Sequence, residues 1–227
     1  AKPYNAGFSY QTLRFEPMRV LRGLNSPAQS PAAVTIGNFD GMHRGHQALL
    51  RQLKAEAESR ELQPSVLTFA PHPREFFSRK LAGNNAPVIP ARLHTLREKL
   101  EALAAAGVAE TRVCAFNEAF AALSPEEFVQ RVLVDAMQAR HILIGDDFRF
   151  GAKRAGDFAL LKSLGEQHGF TVSALDSQCL AGNRISSSQV RAALATGDLQ
   201  LAEALLGYPY AMEGRVIKGR QLGRTIG

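Results

Sequence analysis

Short β-branched, apolar runs alternate with stretches of helical spacing along most of the chain. Ala32–Gly37 (AAVTIG) is the first such run, and direction changes at Asn38–Gly41. From about Arg44, residues His46, Leu49, Leu50 and Leu53 keep the i, i+3, i+4, i+7 spacing of a helix that runs to about Arg60. Pro64 opens a second strand, SVLTFA (65–70), closed by Pro71 and Pro73. Residues 83–92 read as loop, and Thr95–Ala106 as a helix with Gly107 just past its end. TRVCAF (111–116), HILIG (141–145) and FTVSAL (170–175) are further strands. Helices are expected from Ser124-Pro125-Glu126-Glu127, over Asp157–His168, over Ser186–Thr196 and over Leu199–Leu206. Ser124 and Glu127 have the spacing of a capping box, with Pro125 suited to the first helical position.

Strand–helix alternation of this kind specifies an α/β fold with a parallel sheet and helices on both faces. Runs without polar alternation fit strands buried on both sides. Ligands then sit beyond the carboxyl ends of the strands, here after residues 37, 70 and 145. The tail changes character. After Leu206 comes GYPYAMEGRVIKGRQLGRTIG, rich in Gly and β-formers, which reads as the first strand and loop of a second, β-rich domain. The organisation read from the sequence is an extension over 1–17, with Met18 a candidate natural start, a domain over 18–200, and a linker with the start of the second domain over 201–227.

Composition narrows the class. Of 227 residues, 45% are hydrophobic, enough for a sizeable core. No run of about 18 apolar residues exists to span a membrane, and residues 1–17 lack the apolar stretch of a secretory signal. Cys114 and Cys179 lie in apolar, strand-like surroundings and read as buried, reduced thiols, consistent with the cytoplasm. The net charge of +6 and pI of about 9.6 suit a polyanionic ligand. The basic residues are scattered without a block of five, and Trp is absent, so nucleic acid is not the expected partner.

The first chemical signal is Gly37-Asn38-Phe39-Asp40-Gly41-Met42-His43-Arg44-Gly45-His46, placed between a strand and a helix. A helix N-terminus offers free N–H groups and a positive dipole end to phosphate. His43 and His46, three apart, share one side of the first turn. Their imidazoles can donate to phosphate oxygens and are expected to carry positive charge. A zinc site lacks a nearby third ligand. The second signal is Arg184-Ile185-Ser186-Ser187-Ser188-Gln189-Val190-Arg191. Its hydroxyls can cap a helix or bind phosphate, and Arg191 can neutralise one. Two aromatic turns follow strand ends: Thr68-Phe69-Ala70-Pro71-His72-Pro73 and Gly145-Asp146-Asp147-Phe148-Arg149-Phe150-Gly151. Phe148 and Phe150 can stack on a flat ring, Arg149 can meet a phosphate, and Asp147 can accept a ring N–H or help hold a metal.

HRGH (43–46) resembles the HxGH signature of the nucleotidyltransferase superfamily, and RISSSQVR resembles its second signature, ISSTxIR, with Ser188 for Thr and Val190 for Ile. With the two aromatic turns and LLGYPYAMEGRVIKGRQLGRTIG, the chain from Met18 to Gly227 resembles the bacterial bifunctional riboflavin kinase/FMN adenylyltransferases. Ala70 stands where that family often has Asp. The resemblance implies a Rossmann-like nucleotidyltransferase domain, followed by the first strand of a β-barrel riboflavin kinase domain. It implies transfer of AMP from ATP to FMN, giving FAD and pyrophosphate, with Mg2+ as cofactor. Riboflavin phosphorylation would belong to the full-length protein only, because the kinase's FPTAN stretch does not appear here. The residues carried over are His43, His46 and Arg191 as catalytic. Gly37, Asn38, Phe39, Asp40, Gly41, Arg184, Ser186, Ser187 and Ser188 join them at the nucleotide. Phe69, Pro71, Asp147, Phe148, Arg149 and Phe150 are carried over to the flavin. Rival acceptors on the same fold are pantetheine phosphate, nicotinamide mononucleotide or a glycerol phosphate.

Overall fold

The computed structural model describes residues 17–81, 89–176, 179–180 and 182–214. Its centre is a six-stranded sheet built from β1 (Arg19–Arg22), β2 (Ala32–Ile36), β3 (Gln63–Phe69), β4 (Glu110–Cys114), β5 (Ala139–Gly145) and β6 (Thr171–Leu175). The order is β1-β4-β3-β2-β5-β6 and every pairing is parallel. Helix α1 (Arg44–Ser59) connects β2 to β3, while α2 (Pro73–Lys80) and α3 (Leu96–Ala105) connect β3 to β4. Next come α4 (Glu118–Ala121), then α5 (Pro125–Phe128), which runs on in π-helical form through Val129–Ala136. α6 (Phe158–His168) leads into β6. A small hairpin, β7 (Cys179–Leu180) and β8 (Asn183–Arg184), precedes α7 (Ser187–Ala195) and α8 (Leu199–Leu206).

Alternation of side chains along buried strands makes two cores. Val34, Ile36, Ile142 and Ile144 point to one face, against Phe128, Val132 and Leu133 of the α5 segment and Leu161 of α6. Ala33, Val66 and Leu143 point to the other, against Leu50 and Leu53 of α1 and Leu103 of α3. Leu53 has no exposed surface, and truncating such a side chain to Ala typically costs about 2–5 kcal/mol. Helix ends follow the expected chemistry. Ser124 and Glu127 form the capping box, and Gly107 and Gly169 carry the positive φ (83° and 76°) that lets the chain turn past a helix.

Strand order reverses between β2 and β5, because β2 sends its connection toward β3 on one side while β5 lies on the other. That reversal opens a crevice at the carboxyl ends of β2 and β5, where an α/β sheet takes its ligand.

Several elements differ from the sequence reading. β1 was not expected; its exposed and half-buried residues alternate at the sheet edge and lack an apolar run. α2 was not expected; Pro73, read only as the end of a turn, takes the first helical position. β4 carries Glu110 and Arg112 fully buried, with the Arg112 guanidinium donating to Gly23 O (2.8 Å) and Ala136 O (2.9 Å). Cys114 is buried as expected, but Cys179 sits exposed on the small hairpin. α8 packs on α7, burying Leu205 and Leu206 beside Ile185 and Val190, so a boundary at residue 200 cuts through a packed helix. Residues 1–16 and 215–227, which hold most of the expected extension and the expected β-strand of the tail, lie outside the described residues.

Candidate active site

Two helix N-termini face the crevice. α1 starts at His43, whose backbone is extended (φ −64°, ψ 168°) and whose Nδ1 accepts from the His46 N–H at 3.3 Å. Since Nδ1 accepts, the neutral His43 ring carries its proton on Nε2, leaving that N–H as the available donor. The His43 and His46 rings stack, with centroids 3.6 Å apart and planes 19° from parallel. Gly45 permits this: a Cβ there would meet His43 Nδ1 at 3.1 Å and Cε1 at 3.2 Å. Phe39 is fully buried behind the pair, its ring centroid 5.0 Å from that of His46. α7 starts at Ser186, whose hydroxyl accepts from Gln189 N–H at 3.3 Å.

These elements enclose a cavity of about 340 Å3. His43, Gly45 and His46 of the first signature line it, as do Arg184, Ser186, Ser187, Ser188 and Arg191 of the second. Gly37, Asn38, Phe39 and Asp40 add the β2 exit. Gly41 is not in the lining. Its positive φ (81°) and its close approach to Leu93, which a Cβ would meet at 2.6 Å, make it a turn residue.

The histidines differ from expectation in charge. Burial lowers the His43 pKa to about 4, helped by the nearby Arg184 guanidinium. His46 is held well below the usual imidazole range, first by burial and then by His43 beside it. Both rings are therefore neutral near pH 7, with N–H groups to offer in place of positive charge. His46 Nδ1 and Asn38 Oδ1 are buried without a hydrogen-bond partner.

The arginines are held in advance. Arg191 pairs with the buried Asp40 and donates from Nε to Ala91 O at 2.6 Å. Asp40 also accepts from the N–H groups of Leu93 (3.0 Å) and His94 (3.0 Å), and its carbonyl accepts from the Ser187 hydroxyl at 2.8 Å. Its carboxylate is thus a brace between the two signatures. Arg184 pairs with Asp147 at 2.8 Å, and this hydrogen bond pulls the Asp147 pKa down.

A second cavity, of about 580 Å3, opens from the first. Phe69, Phe77, Phe116, Phe120, Phe128, Phe148 and Phe150 line it. Phe116 contacts Phe69, Phe77 and Phe120 at centroid distances of 5.7 Å, and Phe148 stacks on Phe150 at 5.7 Å. Five of the residues expected at a flat ring are here: Phe69, Asp147, Phe148, Arg149 and Phe150. Pro71 is not; it lines a small neighbouring cavity of about 40 Å3 with Glu75, Arg92 and Lys99, because the chain turns into α2 after it. Arg149 is tied to Asp157 at 3.2 Å.

The FAD synthetase family model matches residues 25–189. The chain belongs to the FAD synthetase family. Bifunctional riboflavin kinase/FMN adenylyltransferases are similar to it: that of Escherichia coli (strain K12) is 46% identical over 213 residues, 92% of this chain and 66% of the relative. That of Haemophilus influenzae is 46% identical over 212 residues, covering 92% and 67%. The chain spans about two thirds of the length of these relatives. A crystal structure described as a macrolide-efflux protein from Streptococcus pneumoniae has a TM-score of 0.77 at 28% identity, covering 92% of this chain and 66% of that one.

Sequence reading missed Arg74, His72 and the phenylalanines 77, 116, 120 and 128. His72 and Arg74 line both large cavities. The available signal was a basic residue just past the carboxyl end of a strand. For the aromatics, it was the clustering of eight of the 13 Phe between residues 69 and 150.

Proposed function

We propose that the chain transfers the AMP portion of ATP to FMN, yielding FAD and pyrophosphate. The observation that carries this reading is the joining of two unlike cavities. One is ringed by helix N-termini, imidazole N–H groups and arginines; the other is walled by phenylalanines. The first suits a triphosphate and the second a flat isoalloxazine.

An FMN phosphate oxygen attacks the α-phosphorus of ATP. The new P–O bond forms as the bond to the β-phosphate bridging oxygen breaks, and pyrophosphate leaves with that oxygen. A phosphate monoester has a second pKa near 6, so its oxygen is already ionised and no general base is required. The obstacle is charge repulsion, and catalysis consists of positioning and charge neutralisation. His43 and His46 donate to the ATP phosphates with the α1 N-terminus behind them. Ser187, Ser188 and Arg191 hold the leaving group, and Gly37–Asp40 flank the nucleotide. Phe69, Phe148 and Phe150 wall the flavin.

Magnesium fits no preformed cage. Among the described residues no group of three or more His, Cys, Asp or Glu is placed to hold a metal. Asp147, the carboxylate the sequence offers for a metal, is paired to Arg184, and the neighbouring Asp40 to Arg191. Mg2+ belongs to the proposal as an ion held by ATP oxygens and water.

In the proposal the adenylyltransferase part includes α8 and the tyrosines after it, since Leu205, Leu206, Tyr208 and Tyr210 pack with Ile185 and Val190. Small-molecule partners, a cytoplasmic setting and a downstream riboflavin kinase domain complete the proposal. No helix among the described residues is long and apolar enough to cross a membrane. The test is direct: ATP, Mg2+ and FMN with the chain, with FAD and pyrophosphate measured by chromatography. Substituting pantetheine phosphate or nicotinamide mononucleotide for FMN should abolish product; equal turnover with either refutes the acceptor.

A further inference from the structure

The two large cavities share seven lining residues: Ile36, Gly37, Asn38, His72, Arg74, Asp147 and Phe148. Whatever reacts between a ring in one cavity and a triphosphate in the other must do so along this seam. Arg74 carries the positive charge there. His72 is pushed toward its neutral form, chiefly by burial, and Asp147 is negative and bound to Arg184. The other arginines of the first cavity have carboxylate partners, Arg184 with Asp147 and Arg191 with Asp40. Arg149, which the sequence offered for a phosphate, lines the aromatic cavity only and is held by Asp157. Lys153 and Arg154 also line only that cavity. The Arg74 backbone is fixed by its N–H, which donates to His72 Nδ1 at 3.0 Å, while its exposed guanidinium makes no ion pair with any described residue.

We propose that Arg74 receives the terminal phosphate of FMN and holds it against the triphosphate, so that it discriminates FMN from unphosphorylated riboflavin. The inference rests on the reading of the chain as an FMN adenylyltransferase. A guanidinium matches two phosphate oxygens at once, which fixes direction as well as charge. It relieves the repulsion between a dianion and a polyanion at the place where they meet.

The experiment compares binding of FMN and riboflavin to the 227-residue chain by flavin fluorescence, alongside KM and kcat for FAD formation. Charge-assisted hydrogen bonds of this kind are worth about 10- to 100-fold in affinity. The wild-type chain should prefer FMN over riboflavin by about that factor. Arg74→Ala should remove the preference by weakening FMN alone, leaving riboflavin affinity and the KM for ATP near wild type. Arg74→Lys should restore part of it, as a point charge without the planar fork. Arg149→Ala should change both flavins equally. If Arg74→Ala keeps the FMN preference, or if Arg154→Ala removes it instead, the inference is overturned while FAD synthesis by the wild type still supports the activity. A wild-type chain that makes no FAD and binds neither flavin overturns the activity and the inference together.

Discussion

Asp40 and Arg191 stand 151 residues apart in the chain and share an ion pair in which Asp40 is buried and Arg191 half-buried. The contact joins the loop after β2 to the first turns of α7, and through Leu93 and His94 it pins the segment ahead of α3 as well. Removing one partner leaves a buried charge with fewer donors, which costs up to about 3–5 kcal/mol. Asp40 keeps its backbone donors, so Arg191→Ala should cost less, about 2–3 kcal/mol in urea unfolding. Asp40→Asn with Arg191→Ala should cost less than the sum of the two single changes; additivity would show that the pair is not coupled.

His46→Ala should slow FAD formation by about 100- to 1,000-fold, the cost of losing one preorganised donor to a developing negative charge. Circular dichroism should be unchanged, because the ring lines the cavity and touches the core only through Phe39. Turnover within a few-fold of wild type would remove His46 from the reaction.

The neutral state of His43 predicts a pH dependence of stability. The unfolded chain takes up a proton near the ordinary value of 6.5, whereas the folded His43 does so only near 4. Between these values the unfolded state binds more protons, so stability rises with pH and is lost as pH falls through the window. The His43 share is on the order of 3 kcal/mol. The depressed values of His46, His72, His94 and His141 act in the same direction. His43→Asn should flatten the slope of unfolding free energy between pH 6.5 and 4, and an unaltered slope would contradict neutral burial.

Gly45→Ala separates helix propensity from catalysis. Alanine favours the helix by about 1 kcal/mol over glycine, yet its Cβ would press on the His43 ring. Turnover should fall about tenfold or more, the penalty for a small misplacement of a positioned group, with little change in melting temperature. Unimpaired turnover would show that the ring stack tolerates displacement.

Phe148 and Phe150 should separate binding from stability. Phe150 is only 5% exposed and packs on Phe128, so Phe150→Ala should cost about 3–5 kcal/mol of stability as well as raising the KM for FMN. Phe148 is half-buried at the seam, and Phe148→Ala should raise the KM for FMN with a smaller loss of stability. In both, the KM for ATP should move less; the reverse order would place the flavin elsewhere.

The parallel sheet was legible because its central strands are continuous apolar runs, and both signatures were legible because their residues are contiguous. What was not legible depends on distance. Nothing near Asp40 in sequence reveals Arg191 as its partner, and no periodicity announces that Phe69, Phe116 and Phe150 face one space. The same holds for the network joining His141, Glu56 and Ser173, in which the Ser173 hydroxyl donates to Glu56 at 3.1 Å and His141 lies buried in what reads as a plain apolar strand. The charge state of His43 was misread for a related reason: residue type gives the ordinary pKa, and only packing gives the burial that displaces it. Arg74 stood in plain view after Pro73, but its value comes from the overlap of two spaces, which a linear string does not contain.

That common wall has a kinetic consequence. On the proposed activity FAD is a single body that spans both chambers, so it surrenders its freedom of motion once while collecting the contacts of two substrates. Escape then requires both ends to let go together. Letting the product leave, more than forging its bond, should then be the slow part of each cycle, and a burst of FAD in the first turnover is the measurement that checks it.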